Sequence, residues 1–206
     1  MPVVRTLRNV LEQAHCFQWT DPLKTRLTSC AHDDYTQTIT PNQHPIAPGT
    51  SIGHVHLKVS DLNRASEFYC GVLGFDVMQR YGDEAAFLSA GGYHHHIALN
   101  TWESKGGSAP PPGTTGLYHF AIRYPTRRAL ADGLRRVLDA GVSLEGASDH
   151  GVSEAIYLRD PDGNGIELAW DRPETEWPLT DDGRLLMDTR PLNTKGLLRE
   201  LTTDKV

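Results

Sequence analysis

Residues 52–75 read IGHVHLKVSDLNRASEFYCGVLGF, and a change of period inside this stretch decides the fold. Over IGHVHLKV the apolar residues alternate: Val55, Leu57 and Val59 fall on one face and His54, His56 and Lys58 on the other, the two-residue period of a half-buried strand. From Ser60 the pattern turns helical. Ser60 or Asp61 can cap a helix N-terminus, Leu62, Ala65, Phe68, Tyr69 and Val72 make an apolar stripe, and Gly74 stops it. Apolar stretches around residues 75–81, 85–89 and 93–102, divided by GDE and AGG, then predict three antiparallel strands.

The same order returns further on. Residues 103–116, ESKGGSAPPPGTTG, are dense in Gly, Pro and Ser and punctuate the chain. LYHFAIRY follows as a strand with Tyr118, Phe120, Ile122 and Tyr124 on one face and His119, Ala121 and Arg123 on the other. PTRRALADGLRRVLDAG is a helix capped by Thr126, with Leu130, Leu134, Val137 and Leu138 inward and Gly141 at its end. Strands are expected around 142–145, 153–159 and 165–170, the last two joined by the tight DPDGNG turn. Strand, helix and three strands, twice over, is an internal repeat. The expected fold class is α+β, with two paired βαβββ modules forming a curved mixed sheet around a concavity. The boundaries read as an N-terminal extension and linker over 1–50, a first module over 51–104, a connector over 105–116, a second module over 117–171 and a C-terminal tail over 172–206.

Composition limits the function classes. With 206 residues, 38% hydrophobic and 22% charged, the chain can bury a real core, and a formal net charge of -6 argues against a general polyanion binder. No apolar run approaches the length of a membrane span. Cys16, Cys30 and Cys70 are odd in number and lack CxxC spacing, which fits a reducing cytoplasm better than a disulfide scaffold. The first 19 residues read as a short peripheral helix or an extension dispensable to the core, and 31–51, rich in Pro and Thr, as a linker or extended arm.

The repeat can be aligned by hand. Setting GHVHLKV against LYHFAIRY superposes His54 on His119, and setting HHIALNTW against NGIELAWD superposes Ala98 on Glu167. Two facing modules would bring His54, His119 and Glu167 to one concave point. Two imidazoles and one carboxylate on one side of a divalent ion form a facial triad that leaves positions open for substrate and dioxygen. Singly, each of these residues would be read as structural or solvated; the repeat relation sets them apart. Glu167 also lies between Ile166 and Leu168, whose packing face is opposite its own.

IGHVHLKVSDLNRASEFYCGVLGF, YHHHIALNTW, LYHFAIRY and SEAIYLRDPDGNGIELAWDRP together resemble the vicinal oxygen chelate superfamily, which holds glyoxalase I, the bleomycin and fosfomycin resistance proteins and the extradiol ring-cleavage dioxygenases. The resemblance spans about residues 50–180 and is nearest to catechol 2,3-dioxygenase-like, single-unit members. It implies that His54, His119 and Glu167 are metal ligands, for Fe(II) first and Mn(II) or Zn(II) as alternatives. Glyoxalase I-like members add a carboxylate where this sequence has Ala98, a departure that favours the three-ligand dioxygenase arrangement.

The resemblance further implies Tyr157, ten residues before Glu167, as a substrate-orienting phenol, His150 as a second substrate contact at a shorter spacing than in two-domain enzymes, and His95 as the proton-transfer group. Strict alternation from Ala98 instead points His94 and His96 into the site, and a bulge or loop before Ile97 would favour His95. The implied function is a metal-dependent extradiol-type ring-cleavage dioxygenase acting on a catechol-like vicinal diol, with a small aromatic substrate and dioxygen as partners. Neither nucleic acid nor membrane is an expected partner, a homodimer is left open, and the expected compartment is the cytoplasm. Two alternatives stand beside it: a glyoxalase- or fosfomycin-resistance-type lyase, isomerase or transferase, and a non-catalytic drug-binding protein of the bleomycin-resistance type.

Other residues read more plainly. His56 lines the cavity or packs beside it, Asn100 belongs to the pocket rim, and Trp102, Trp170 and Tyr118 read as core or interface aromatics. Arg127, Arg128, Arg135 and Arg136 read as the solvated face of an amphipathic helix. The tail is expected to fold over the pocket or to pair subunits.

Overall fold

The computed structural model of the protein describes residues 44–202. The expectations for the N-terminal helix, for Cys16 and Cys30 and for most of the 31–51 arm lie outside the described residues. Residues 44–53 belong to a unit separate from His54–Val206 and contain no helix or strand. A turn at Thr50, whose N–H and Oγ1 both donate to the Ala47 carbonyl, is their main feature.

The first module runs β1 (Val55–Lys58), α1 (Leu62–Ser66), β2 (Asp76–Tyr81), β3 (Ala85–Ser89) and β4 (Ile97–Asn100). Asp61 caps α1, its carboxylate accepting from the N–H groups of Asn63 and Arg64, and the helix widens into a π turn over Glu67–Val72. The second runs β5 (Phe120–Arg123), α2 (Arg127–Asp139), β6 (Leu144–Asp149), β7 (Ser153–Arg159) and β8 (Gly165–Asp171), with Thr126 Oγ1 capping α2 through the Ala129 N–H. Both halves of the repeat are therefore present.

Each module makes its own sheet. The first is ordered β1-β4-β3-β2, the second β5-β8-β7-β6-β9, where β9 (Arg190–Pro191) comes from the tail. In each, the opening strand pairs parallel with the closing strand and the remaining pairs are antiparallel. The backbone ladders thus divide the layer into two mixed sheets, and side chains join the modules.

That joining has two parts. Alternation turns Leu57, Val59, Leu88, Ile97 and Leu99 of the first sheet, and Ile156, Leu158, Ile166 and Leu168 of the second, onto one connected core with Tyr69, Leu130, Leu134 and Val137 of the helices. Each large apolar side chain buried there contributes about 1.5–3 kcal/mol. The DPDGNG turn supplies the polar part: Asp160 Oδ1 takes the N–H groups of Asp162 and Asn164 at 2.9 and 2.8 Å, while its Oδ2 accepts from the buried Tyr69 hydroxyl at 2.9 Å. Asp162 Oδ1 accepts from Ser60 Oγ at 2.6 Å and Arg64 at 2.7 Å across the same seam. Gly165 ends the turn because a Cβ there would stand 2.1 Å from the Tyr118 carbonyl oxygen, where β5 begins.

The tail folds onto the second module. β9 extends its sheet, and α3 (Thr194–Arg199) packs against α2 with Leu197 fully buried. Arg127 departs from the solvated-face expectation: it is partly buried, 2.8 Å from Glu154 on β7, and also pairs with Glu200, so it pins α2 to sheet and tail. Nor are Trp102 and Tyr118 core residues, since they are 58% and 72% exposed; both sit at the ends of strands, beyond the cover of the helices. Trp170 does pack partly against the core. Among the described residues no helix is long and apolar enough to cross a membrane.

Candidate functional site

The helices cover one face of each sheet, and the register fixes what stands on the other. His56 lies opposite Ala98, and Ala98 opposite Phe87, in the first sheet; Ala121, Glu167, Tyr157 and Gly146 are successive partners in the second. Residues paired across a sheet share a face, so these side chains occupy the faces the helices leave open.

On the second sheet, His119 just precedes β5 and Glu167 sits on β8. Nε2 of His119 is 3.0 Å from Oε2 of Glu167. Tyr157, on the neighbouring strand, has its ring 5.5 Å from that of His119, its hydroxyl 3.4 Å from Glu167 Oε1 and 2.7 Å from His150 Nε2. Burial raises the Tyr157 phenol pKa, and the Glu167 carboxylate raises it further, so the hydroxyl keeps its proton. Four of the side chains singled out in the sequence therefore form one contiguous chain: His119, Glu167, Tyr157 and His150.

On the first sheet, His54 just precedes β1 and its ring lies 4.4 Å from that of His95, which lies 5.2 Å from Phe87. The three consecutive histidines part ways. His94 stacks on Tyr93 at 4.0 Å with its Nδ1 2.8 Å from His95 Nδ1, and His96 Nδ1 accepts from the Ala90 N–H at 3.3 Å beside Ser89 Oγ. Alternation from Ala98 does not extend through them because β4 begins only at Ile97. Burial lowers the His95 pKa, and His54, His94, His56 and His96 around it lower it further. His56 is held by Asn100, whose side-chain amide reaches its Nε2 at 2.8 Å, and meets Trp102 edge-on at 5.5 Å; burial and then His54 lower its pKa too.

The fit to a divalent ion is partial. His119 and Glu167 present one nitrogen and one oxygen donor at a common point, a ligand set suited to iron, manganese or zinc. His54 stands with His95, and among the described residues no three or more His, Cys, Asp or Glu side chains are spaced to hold a metal ion. A shallow hollow lined by Thr126, Arg128, Ala129, Asp132, Arg135 and Leu201 includes no residue of either cluster. One contact was invisible in the sequence: His150 Nδ1 is 2.9 Å from the Asp188 carbonyl oxygen of the tail. Any residue can supply a backbone carbonyl, so no side-chain pattern announces it.

Comparison with known proteins gives a consistent picture. The family profile described as "Glyoxalase/Bleomycin resistance protein/Dioxygenase superfamily" matches residues 51–168. A catechol-2,3-dioxygenase of Bacillus subtilis (strain 168) is 42% identical over 151 residues, 73% of this chain and 52% of that protein, so the chain spans about half the length of this relative. Biphenyl-2,3-diol 1,2-dioxygenase 3 of Rhodococcus globerulus is 35% identical over 133 residues, 63% of this chain and 68% of that one. Among solved structures, a glyoxalase/dioxygenase from Nostoc punctiforme matches in fold with a TM-score of 0.51 at 19% identity, covering 63% of this chain and 98% of that one.

Proposed function

The chain belongs to the glyoxalase/bleomycin resistance protein/dioxygenase superfamily, and from that membership we propose that it is a metal-dependent extradiol-type dioxygenase that cleaves the ring of a catechol-like aromatic diol. The observation that carries this reading is the continuous chain His119–Glu167–Tyr157–His150 on the open face of the second sheet. Similarity to two diol dioxygenases supports the choice of substrate class and of dioxygen as co-substrate.

In this reading His119 and Glu167 hold Fe(II), and His54 is the third ligand. When bound, the ion would supply the Lewis-acid charge and redox chemistry that cleavage of a vicinal diol by dioxygen requires. A single chain keeps His54 beside His95, so the reading takes a homodimer as the functional assembly, with one copy's His54 serving the other copy's His119 and Glu167. The remaining chemistry belongs to this chain's own side chains. His95, neutral at a pH where an ordinary imidazole is partly charged, accepts a hydroxyl proton from the diol and returns it to the opened product. Tyr157, with its proton retained and His150 behind it, fixes the orientation of a substrate oxygen.

The test is oxygen consumption by protein purified without oxygen and loaded with Fe(II), against a panel of catechols, combined with metal analysis of protein purified with no added metal. Oxygen uptake with a coloured semialdehyde-type product is expected. Turnover of a thiol adduct with Zn(II), Mn(II) or Ni(II) and no oxygen uptake would assign the chain to the lyase and isomerase branch instead.

A further inference from the structure

The turn that carries His150 is gripped by the C-terminal tail. Between the end of β6 at Asp149 and the start of β7 at Ser153, the turn closes with the His150 N–H on the Ser153 carbonyl at 2.8 Å. Gly151 takes φ of +78°, and a Cβ there would lie 3.1 Å from Pro178 Cγ, so the tail presses on the turn at a position suited to glycine. The tail then returns as β9, pairing Arg190 with Asp149 and Pro191 with Ser148. That pairing lays Asp188 along His150. The Asp188 N–H donates to the His150 carbonyl at 3.2 Å, and the Asp188 carbonyl oxygen lies 2.9 Å from His150 Nδ1.

A carbonyl oxygen can only accept, so Nδ1 must carry the proton, and a neutral imidazole protonated at Nδ1 has a bare Nε2. That Nε2 lies 2.7 Å from the Tyr157 oxygen. Tyr157 has one proton to give. At 2.7 Å the imidazole is a far better acceptor than Glu167 Oε1 at 3.4 Å, a distance near the limit of hydrogen bonding. Thr189 Oγ1, 3.4 Å from Nδ1, is too distant to compete with the carbonyl.

We infer that the backbone of Asp188 fixes the His150 tautomer and, through it, turns the Tyr157 proton away from Glu167. Asp188 is a positioning residue that acts on the carboxylate through two intervening side chains, His150 and Tyr157. Glu167 is left with both oxygens free of the phenol proton, and the Tyr157 oxygen is presented as an acceptor. That this acceptor receives a substrate hydroxyl rests on the dioxygenase reading; the tautomer does not.

Two-bond 1H–15N correlation spectra of the histidine rings, recorded on the full chain about two pH units above the ordinary imidazole pKa of roughly 6.5, read the tautomer directly. The His150 signals are assigned by their loss in His150→Gln. His150 is expected as the Nδ1–H form in the native protein, in Asp188→Asn, which keeps the backbone, and in Tyr157→Phe. In Asp188→Pro, which deletes the N–H that holds the tail against His150, the Nε2–H form is expected to rise several-fold. An Nε2–H form in the native protein, or loss of the Nδ1–H form in Asp188→Asn or Tyr157→Phe, would overturn the inference. Should Asp188→Pro fail to fold, the native, Asp188→Asn and Tyr157→Phe spectra decide alone. An Nδ1–H His150 in a protein that never consumes oxygen with catechols sinks the dioxygenase reading and leaves the tail's role standing; active protein with the other tautomer does the reverse.

Discussion

His119 Nε2 stands 3.0 Å from Glu167 Oε2, although the residues are far apart in sequence: His119 just precedes β5, and Glu167 lies on β8, the parallel neighbour of β5. Ala121 pairs with Glu167 in register, and His119, two residues earlier and on the same face, leans along β8 to reach the carboxylate. Parallel pairing of the module's first and last strands is what makes this meeting possible.

Glu167→Gln keeps the shape of the side chain and removes its charge. Metal content after purification is expected to fall, and kcat/KM for a catechol to drop by at least about 100-fold, since groups merely supporting a ligand already cost about 10–100-fold. Thermal stability should change little because Glu167 lies on the open face, away from the apolar core. Metal analysis, oxygen uptake and a melting curve on one preparation check all three. Full metal content in the variant would remove Glu167 from the ligand set.

The pH dependence of turnover should carry the mark of His95. Burial and the surrounding histidines lower its pKa, so on acidification it stays neutral to a lower pH than a free imidazole and the proton-accepting form persists. The acid limb of kcat/KM against pH is therefore expected below about 6.5. Removing one neighbour with His94→Asn takes away a repulsive contribution and should move the limb upward. His95→Gln should lower kcat by about 100- to 10,000-fold. A limb unmoved by His94→Asn and retained in His95→Gln would assign the titration elsewhere.

The strands, helices and open faces were legible in the sequence because period, caps and turns are local. Val55, Leu57 and Val59 against His54, His56 and Lys58 marked the covered and open sides of β1, and the repeat carried that reading to β5 and β8. His119 and Glu167 follow from the repeat in the same way, whereas Tyr157 and His150 come only from the family resemblance. What was not legible depends on side chains and backbone meeting across the chain. Arg127 looks like any solvated helix arginine until Glu154 and Glu200 close on it. The Asp188 carbonyl has no side-chain signature at all. The loop before Ile97 also defeats a strict two-residue count, which is why alternation alone could not choose among His94, His95 and His96.

The turn holding His150 should also make stability depend on acidity. Burial alone would raise the Asp149 carboxyl pKa, but the Gly151 N–H at 2.8 Å and the Arg172 guanidinium at 3.0 Å outweigh it, and the net shift is downward. A carboxyl lowered in the folded state adds stability that is full above its unfolded value of about 3.9 and is lost as the pH falls through the lower folded value. Asp149→Asn should therefore lower the melting temperature at neutral pH, and the gap to the native protein should close as the pH is taken below about 4. Melting curves across that range check the sign; a gap that widens on acidification would contradict it.

The third ligand can be located by mixing variants. His54→Ala and Glu167→Gln should each be inactive alone. If His54 of one copy serves His119 and Glu167 of the other, a dimer with one subunit of each kind has one site with all three ligands intact and one with none of the mutated positions intact. Random exchange between two-fold dimers makes half of the dimers mixed, so about one quarter of the native site number should return. The exposed edges fit such an exchange, since Trp102 beside His56 and Tyr118 beside His119 leave aromatic surface uncovered in the single chain. Oxygen uptake by the mixture, compared with each variant alone, gives the answer. Complete inactivity after verified subunit exchange would mean that all three ligands must come from one chain, and would require a rearrangement that brings His54 away from His95.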